Sequence, residues 1–160
     1  MRDVMNIFNG IVNDISDAFS ILALAPPSGS QRTIKLPGRT LSYQDILENA
    51  NSIIIVWDSQ IRLTFINDFG KKYLGYSEDE VLGKSLIGTI LPETSPSGGK
   101  NIKVGKDILA HPEQYISNED VNMKKNGELV KVLWSNKVLY DDKGNVVGGL
   151  SVGNVHKDYI

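Results

Sequence analysis

Residues 128–140 read ELVKVLWSNKVLY, and Asn126-Gly127 separates them from a second extended run at 119–125. Val, Leu, Trp and Tyr dominate the longer run and neither Gly nor Pro interrupts it, which suits a pleated strand. Asn-Gly between two such runs predicts a hairpin, because it supplies the positive dihedrals of a two-residue turn. A period of two then places Val130, Val132, Trp134, Asn136, Val138 and Tyr140 on one face. Lys131, Leu133, Ser135, Lys137 and Leu139 take the other. Neither face is wholly polar, so both need cover.

The neighbours extend the sheet. Asp141-Asp142-Lys143-Gly144 predicts a turn into a third strand at 146–155. Upstream, the β-branched and aromatic run 53–57, the turn Asp58-Ser59-Gln60 and the run 62–67 predict another hairpin. Between the two sets lie only short helices. One begins at Asp68 and is interrupted by Gly75, and Ser77 with Glu80 forms a capping box before Val81 and Leu82. Another resumes near Lys103 and carries Val104, Ile108 and Leu109, with Pro112 ending or restarting it. Gly83, Gly88, Pro92, Pro96, Gly98 and Gly99 keep residues 84–100 from forming one element. Two strands, brief helices and three antiparallel strands predict a curved α+β domain with helices against one sheet face, rather than a βαβ nucleotide fold.

The start of the chain is patterned differently. Val4, Phe8, Ile11, Ile15, Ala18 and Leu22 recur at steps of four and three, predicting an amphipathic helix over 1–25 that Pro26-Pro27 stop. Its stripe needs a partner, either the body of its own domain or a second copy, with Val4, Phe8, Ile11, Ile15 and Leu22 as the interface. Residues 26–41 hold Pro, Gly, Ser and basic residues and read as a linker, after which Ser42 and Asp45 cap a short helix carrying Ile46, Leu47 and Ala50.

Composition narrows the chemistry. The 160 residues can bury one sizeable core, and the absence of Cys excludes disulfides, thiolate nucleophiles and Cys-based metal or haem attachment. With 17 basic and 19 acidic residues, the formal charge of -2 creates no field that would gather nucleic acid, and no basic stripe or helix-turn-helix is present. No apolar run reaches the length of about 20 residues that spans a bilayer, so the expected location is cytoplasmic, without membrane insertion. Gly98-Gly99-Lys100 is not a phosphate loop, since Thr94 stands where the first Gly belongs and Asn101 where Ser or Thr does. No catalytic residues and no metal site are expected, and two His residues are too few for a His-rich one.

The runs Ile46-Leu47-Glu48-Asn49-Ala50, Phe65-Ile66-Asn67 with Phe69, and Leu74-Gly75-Tyr76-Ser77 with Leu82-Gly83-Lys84 come in a telling order. They are followed by His111-Pro112-Glu113-Gln114-Tyr115, Lys124-Lys125-Asn126-Gly127 and Trp134-Ser135-Asn136. In this order and spacing, over residues 43–155, the chain resembles a PAS sensory domain. The resemblance implies a five-stranded antiparallel sheet with short helices on one face enclosing a pocket, with a PAS domain over 42–156 and a C-terminal connector from 157 to 160. It implies a non-catalytic sensory and dimerisation module feeding an attached C-terminal output domain such as a histidine kinase. A scaffold that only mediates protein-protein interaction is the other reading. The Asp-Ile-Thr that commonly ends the last strand in the family is absent from Gly153-Asn154-Val155-His156-Lys157-Asp158-Tyr159-Ile160.

For the pocket, the expected lining is Trp57, Phe65, Asn67, Ile108, Trp134 and Asn136, with Ile55, Leu86, Ile90, Val132, Leu150 and Val152 as further apolar contributors. A small organic ligand would sit there, with Asn67 and Asn136 as polar anchors, or the side chains fill the space themselves. No cofactor is expected. His111 stands near the position from which haem-binding members coordinate iron, but reads as a surface residue.

Overall fold

The computed structural model describes residues 33–94, 98 and 107–155. The expected helix at 1–25, with Val4, Phe8, Ile11, Ile15 and Leu22, lies outside the described residues, as do 26–32 and the connector from 157 to 160. The chain divides into two compact units, residues 1–43 and 44–160.

In the first unit, part of the expected linker is a hairpin. β1 (Thr33–Leu36) pairs antiparallel with β2 (Arg39–Ser42), Leu36 opposite Arg39. Pro37 presets the dihedral of the first central turn position and Gly38 takes the second at φ 77°. The β-branched and apolar residues on either side extend. Both strands are largely exposed, so the basic and polar composition that suggested a linker belongs to a solvated ribbon.

The second unit is built on a five-stranded antiparallel sheet in the order β4-β3-β7-β6-β5, which is the α+β architecture expected. β3 (Ile53–Asp58), β4 (Leu63–Ile66), β5 (Ser117–Met123), β6 (Leu129–Tyr140) and β7 (Val146–Val155) form it. α1 (Tyr43–Glu48) precedes the sheet, and α2 (Asp68–Leu74) and α3 (Glu78–Val81) follow β4. Residues 107–110 are helical, and Pro112 starts a separate 3-10 turn over Pro112–Tyr115, where its missing N–H costs nothing. Gly75 ends α2 in the left-handed region at φ 82°, its N–H bonded to the Lys71 carbonyl. At α3 the Glu80 carboxylate accepts the Ser77 N–H at 2.9 Å, as the capping box requires. Lys125 pairs with the same carboxylate and, with the Ser77 hydrogen bonds, holds it down at about 2.

Three hairpin turns share one design, and it is not the two-residue turn expected from Asn126-Gly127. In each, three residues link a closing pair, and the third residue has a positive φ. The Gly127 N–H bonds the Lys124 carbonyl and the Gly144 N–H the Asp141 carbonyl, at 2.9 and 3.0 Å. Asn126 keeps a negative φ and uses its side-chain oxygen to accept the Glu128 N–H. This is the three-residue hairpin loop with a left-handed residue at its end. Between β3 and β4 the Ile61 N–H bonds the Asp58 carbonyl in the same way, so a β-branched residue sits at φ 59° where the other turns have Gly. Asp58 secures it. Its carboxylate accepts the Gln60 and Arg62 N–H groups and pairs with the Arg62 guanidinium at 2.7 Å. Burial raises the Asp58 carboxyl, and these bonds outweigh it, leaving the group below the usual range.

Strand register assigns the faces. Ile53, Ile55 and Trp57 stand opposite Gly153, Ser151 and Gly149, and Trp134 and Asn136 stand opposite Gly153 and Ser151. This face packs on Leu74, Val81, Leu86 and Ile90 in one core. Leu150 and Val152, expected in the pocket, pair with Val56 and Ile54 on the opposite face, because Ser151 between them points inward.

Candidate functional site

The inner face is not filled. A cavity of about 60 Å3 lies between the sheet and the segments that cross it. At the roughly 30 Å3 that a water occupies in the liquid, the space matches about two waters or a very small organic group. One wall is apolar: Leu86, Ile87, Ile90 and Leu91, with Ile108 from the helical turn at 107–110 and Ile61 from the strained hairpin. The side chain of Ile61 therefore has a packing role that Gly could not fill, which is the physical return for its backbone strain.

The sheet side carries two indoles. An ideal Cβ on Gly149 would stand 2.1 Å from Cζ2 of Trp57 and 2.6 Å from both bonded neighbours, Cε2 and Cη2. An approach in the ring plane would leave those neighbours much farther away than Cζ2, so the indole lies face-on over Gly149. Any side chain there would displace it. Trp134 lies close to Gly153, where an ideal Cβ would stand 2.7 Å from Cζ3 and 2.9 Å from Cε3 and 2.7 Å from Cγ1 of Val132. Trp57 is fixed by its Nε1–H, which donates to Ser151 Oγ at 3.0 Å.

Beyond Trp134 the lining becomes polar. Asn118, Asp120 and Asn122 alternate along β5 and so share the inner face, with Asn136 of β6 beside them. The Asn136 amide donates to the Tyr115 carbonyl and to Asn118 Oδ1, both at 2.8 Å, so only its oxygen remains as a polar group. Asn118 passes the chain on by donating to Asp120 Oδ2. Asn122 Nδ2 donates to the Asp120 carbonyl at 3.2 Å, while Asn122 Oδ1 is buried with no partner. Turning that amide over would set its oxygen against the Asp120 carbonyl, so the donor bond fixes the orientation. Burial pushes the Asp120 carboxyl above its usual range, opposed only in part by the Asn118 bond. No cationic side chain among the described residues reaches it.

Of the six residues expected in the lining, the cavity brings together Trp57, Ile108, Trp134 and Asn136. It does not include Phe65 or Asn67. Phe65 pairs with Val56 on the opposite sheet face. Asn67 is a staple: its Oδ1 accepts the Ile54 and Gly70 N–H groups at 3.0 and 3.1 Å, and its Nδ2 donates to the Leu47 and Ser52 carbonyls at 3.0 Å. That leaves no polar capacity for a ligand. His111 is exposed and lines no part of the cavity. Asn118, Asp120, Asn122, Ser151 and Ile61 were not anticipated. The alternation of Asn118, Asp120 and Asn122 was visible, but a polar alternation ordinarily marks the solvent face of a strand, and Val121 would be taken as the inward residue.

With the sheet ordered β4-β3-β7-β6-β5 and a cavity on its inner face, the chain also matches the family model of the PAS fold over residues 41–154. The chain belongs to the PAS family. Solved PAS structures resemble it in fold at low identity. A PAS domain from Colwellia psychrerythraea superposes with a TM-score of 0.61 at 15% identity, covering 73% of this chain and 96% of that one. The PAS domain of an HTR-like protein from Haloarcula marismortui gives 0.54 at 18%, covering 71% and 88%. A PAS domain of a LuxR-family transcriptional regulator from Burkholderia thailandensis, in complex with ethanol, gives 0.56 at 14%, covering 72% and 97%. No curated protein matches the sequence. A PAS domain is generally a sensory or interaction module and not itself a catalyst. Among the described residues of this one, no group of three or more His, Cys, Asp or Glu side chains could hold a metal ion, and no helix is long and apolar enough to cross a membrane.

Proposed function

We propose that this PAS domain, residues 42–156, is the cytoplasmic sensory and dimerisation module of a signal-transduction protein, with the cavity between β5, β6 and the crossing segments as its input site. The observation that carries the reading is the unfilled cavity on the inner sheet face, apolar on the wall of Leu86, Ile87, Ile90 and Leu91 and polar along Asn118, Asp120 and Asn136. The PAS domain held with ethanol shows that a domain of this fold can take a very small organic molecule. Occupancy would act by favouring one arrangement of the sheet and its dimer over another, in a homodimer joined through Val4, Phe8, Ile11, Ile15 and Leu22, and so bias an attached C-terminal output. A histidine kinase is the output favoured, since PAS domains of two-component sensor histidine kinases share the fold.

Sedimentation of the purified chain tests the assembly. A dimer that becomes a monomer in the Ile11→Glu, Ile15→Glu double variant supports it, and a dimer unchanged by those charges overturns the interface. Mass spectrometry of the gently desolvated native chain tests the input. A stoichiometric small molecule supports sensing, whereas an empty dimer that binds none of a panel of small amines, alcohols and acids favours the scaffold reading.

A further inference from the structure

We propose that the segment 107–116 is the gate of this cavity and that Asn136 is the latch that holds it shut. The proposal rests on the reading of the cavity as the input site and adds the way into it.

Two segments that cross the sheet line the cavity, 86–91 and 107–116, and they are tied down differently. Backbone hydrogen bonds fix the first at both ends. The Leu86 N–H donates to the Ile61 carbonyl and the Met123 N–H of β5 donates to the Ile90 carbonyl, both at 2.9 Å. The Tyr76 hydroxyl donates to the Thr89 carbonyl at 3.0 Å, and Leu86 and Ile90 are core residues, 5% and 1% exposed. The second segment has no comparable anchorage. Among the described residues, every hydrogen bond from 107–116 to the rest of the domain ends on Asn136. Its backbone N–H donates to the Ile116 carbonyl at 2.9 Å, and its amide donates to the Tyr115 carbonyl at 2.8 Å. Within the segment, the Tyr115 hydroxyl donates back to the Asp107 carboxylate and the His111 N–H to the Asp107 carbonyl, the latter at 2.7 Å. These bonds join the helical turn at 107–110 and the 3-10 turn into one body. Ile108, half-buried, is the side chain by which that body closes the cavity. A body held to the sheet by one residue turns about its junction with β5 when that residue lets go, and the turn carries Ile108 off the cavity.

The test uses the full chain with no ligand, so its failure leaves the input site standing. Both Trp residues of the chain line the cavity, and at 4% and 5% exposed they meet dissolved acrylamide only when a wall opens. Asn136→Leu keeps the number of side-chain heavy atoms and removes the amide bond to Tyr115. Protection of the residue-136 N–H against hydrogen exchange, corrected for the side chain, should fall about tenfold, as the loss of one hydrogen bond from a local opening implies. Acrylamide quenching of the indoles should rise at least about twofold, while the Ile90 and Met123 amides keep the protection of the parent. Tyr115→Phe leaves the latch in place and unties the body from within. It should also raise quenching, with faster exchange at the His111 N–H. Quenching unchanged in both variants overturns the gate. A fall in protection at 136 without added quenching overturns it too, because the segment then moves without uncovering the cavity. A rise in Tyr115→Phe alone removes Asn136 as the latch. If Ile90 and Met123 lose protection in Tyr115→Phe as fully as His111 does, the whole domain opens and no separate gate exists.

Discussion

Asn67 and Asn122 are both fully buried, on opposite flanks of the same domain, and their surroundings differ in one respect. Asn67, between β4 and α2, makes four hydrogen bonds that tie the α1 end, β3 and α2 to one amide. Asn122, on β5, makes one and leaves its oxygen buried without a partner. A buried amide whose capacity is exhausted is part of the frame, and one with capacity to spare holds less together. The turn from β4 into α2 is accordingly pinned by one side chain, while the inner face of β5 is polar and more loosely tied.

The sharpest way to break this contrast is Asn67→Ala. It removes the one oxygen that accepts the Ile54 and Gly70 N–H groups and the amide protons donated to the Leu47 and Ser52 carbonyls, so about 3–5 kcal/mol of stability should be lost in urea unfolding. A loss under about 1 kcal/mol would show that Asn67 is no more structural than Asn122.

A smaller effect, opposite in sign at neutral pH, is expected from Asp120→Asn. The Asp120 carboxyl is raised in the fold, so its contribution is fully present below its unfolded value, near 3.9, and is lost as pH rises through the folded value. Removing the charge should therefore raise the melting midpoint at pH 7, with the gap closing as pH falls below about 4. Glu80 supplies the internal contrast. Its carboxyl is held at about 2, so its contribution is present above the ordinary carboxylate range and is lost as pH falls through about 2. A variant whose midpoint falls at pH 7 would mean that the Asp120 charge has a partner.

Asn122→Leu should have the smallest effect, within about 1 kcal/mol of the parent, because an apolar side chain with the same number of heavy atoms removes an unsatisfied acceptor together with one long bond. Its midpoint should stay level or fall only slightly. A loss comparable to that of Asn67→Ala would place Asn122 in the frame.

How far the sequence discloses each flank follows the same division. β3, β4, β6, β7, the α2 start and the Ser77–Glu80 box all carry local signals: β-branched runs, period-two alternation, a cap and its reciprocal acid. The pocket residues Trp57 and Trp134 were legible too, as large aromatics on inward positions. The polar lining was not, because Asn118, Asp120 and Asn122 have the pattern of a strand's wet face. Asn67 misled in the other direction, since a polar residue after a strand looks like an anchor until its four partners, 3 to 20 residues away in sequence, are in place.

Local chemistry alone thus determined the strand order along the chain, the brief helices, the caps and the PAS family, because turn residues and side-chain periodicity act over a few neighbours. Three matters were left to tertiary structure. Ile61 takes a backbone conformation that its own side chain opposes, because Asp58 and the core hold it there. The Trp57 indole lies flat because Gly149, from a strand far along the chain, leaves room beneath it, and Gly153 leaves room for Trp134. The acceptors around Asp120 face inward because register with β6 decides which side of β5 meets the cavity. Each depends on what approaches from a distance, and no local pattern encodes that.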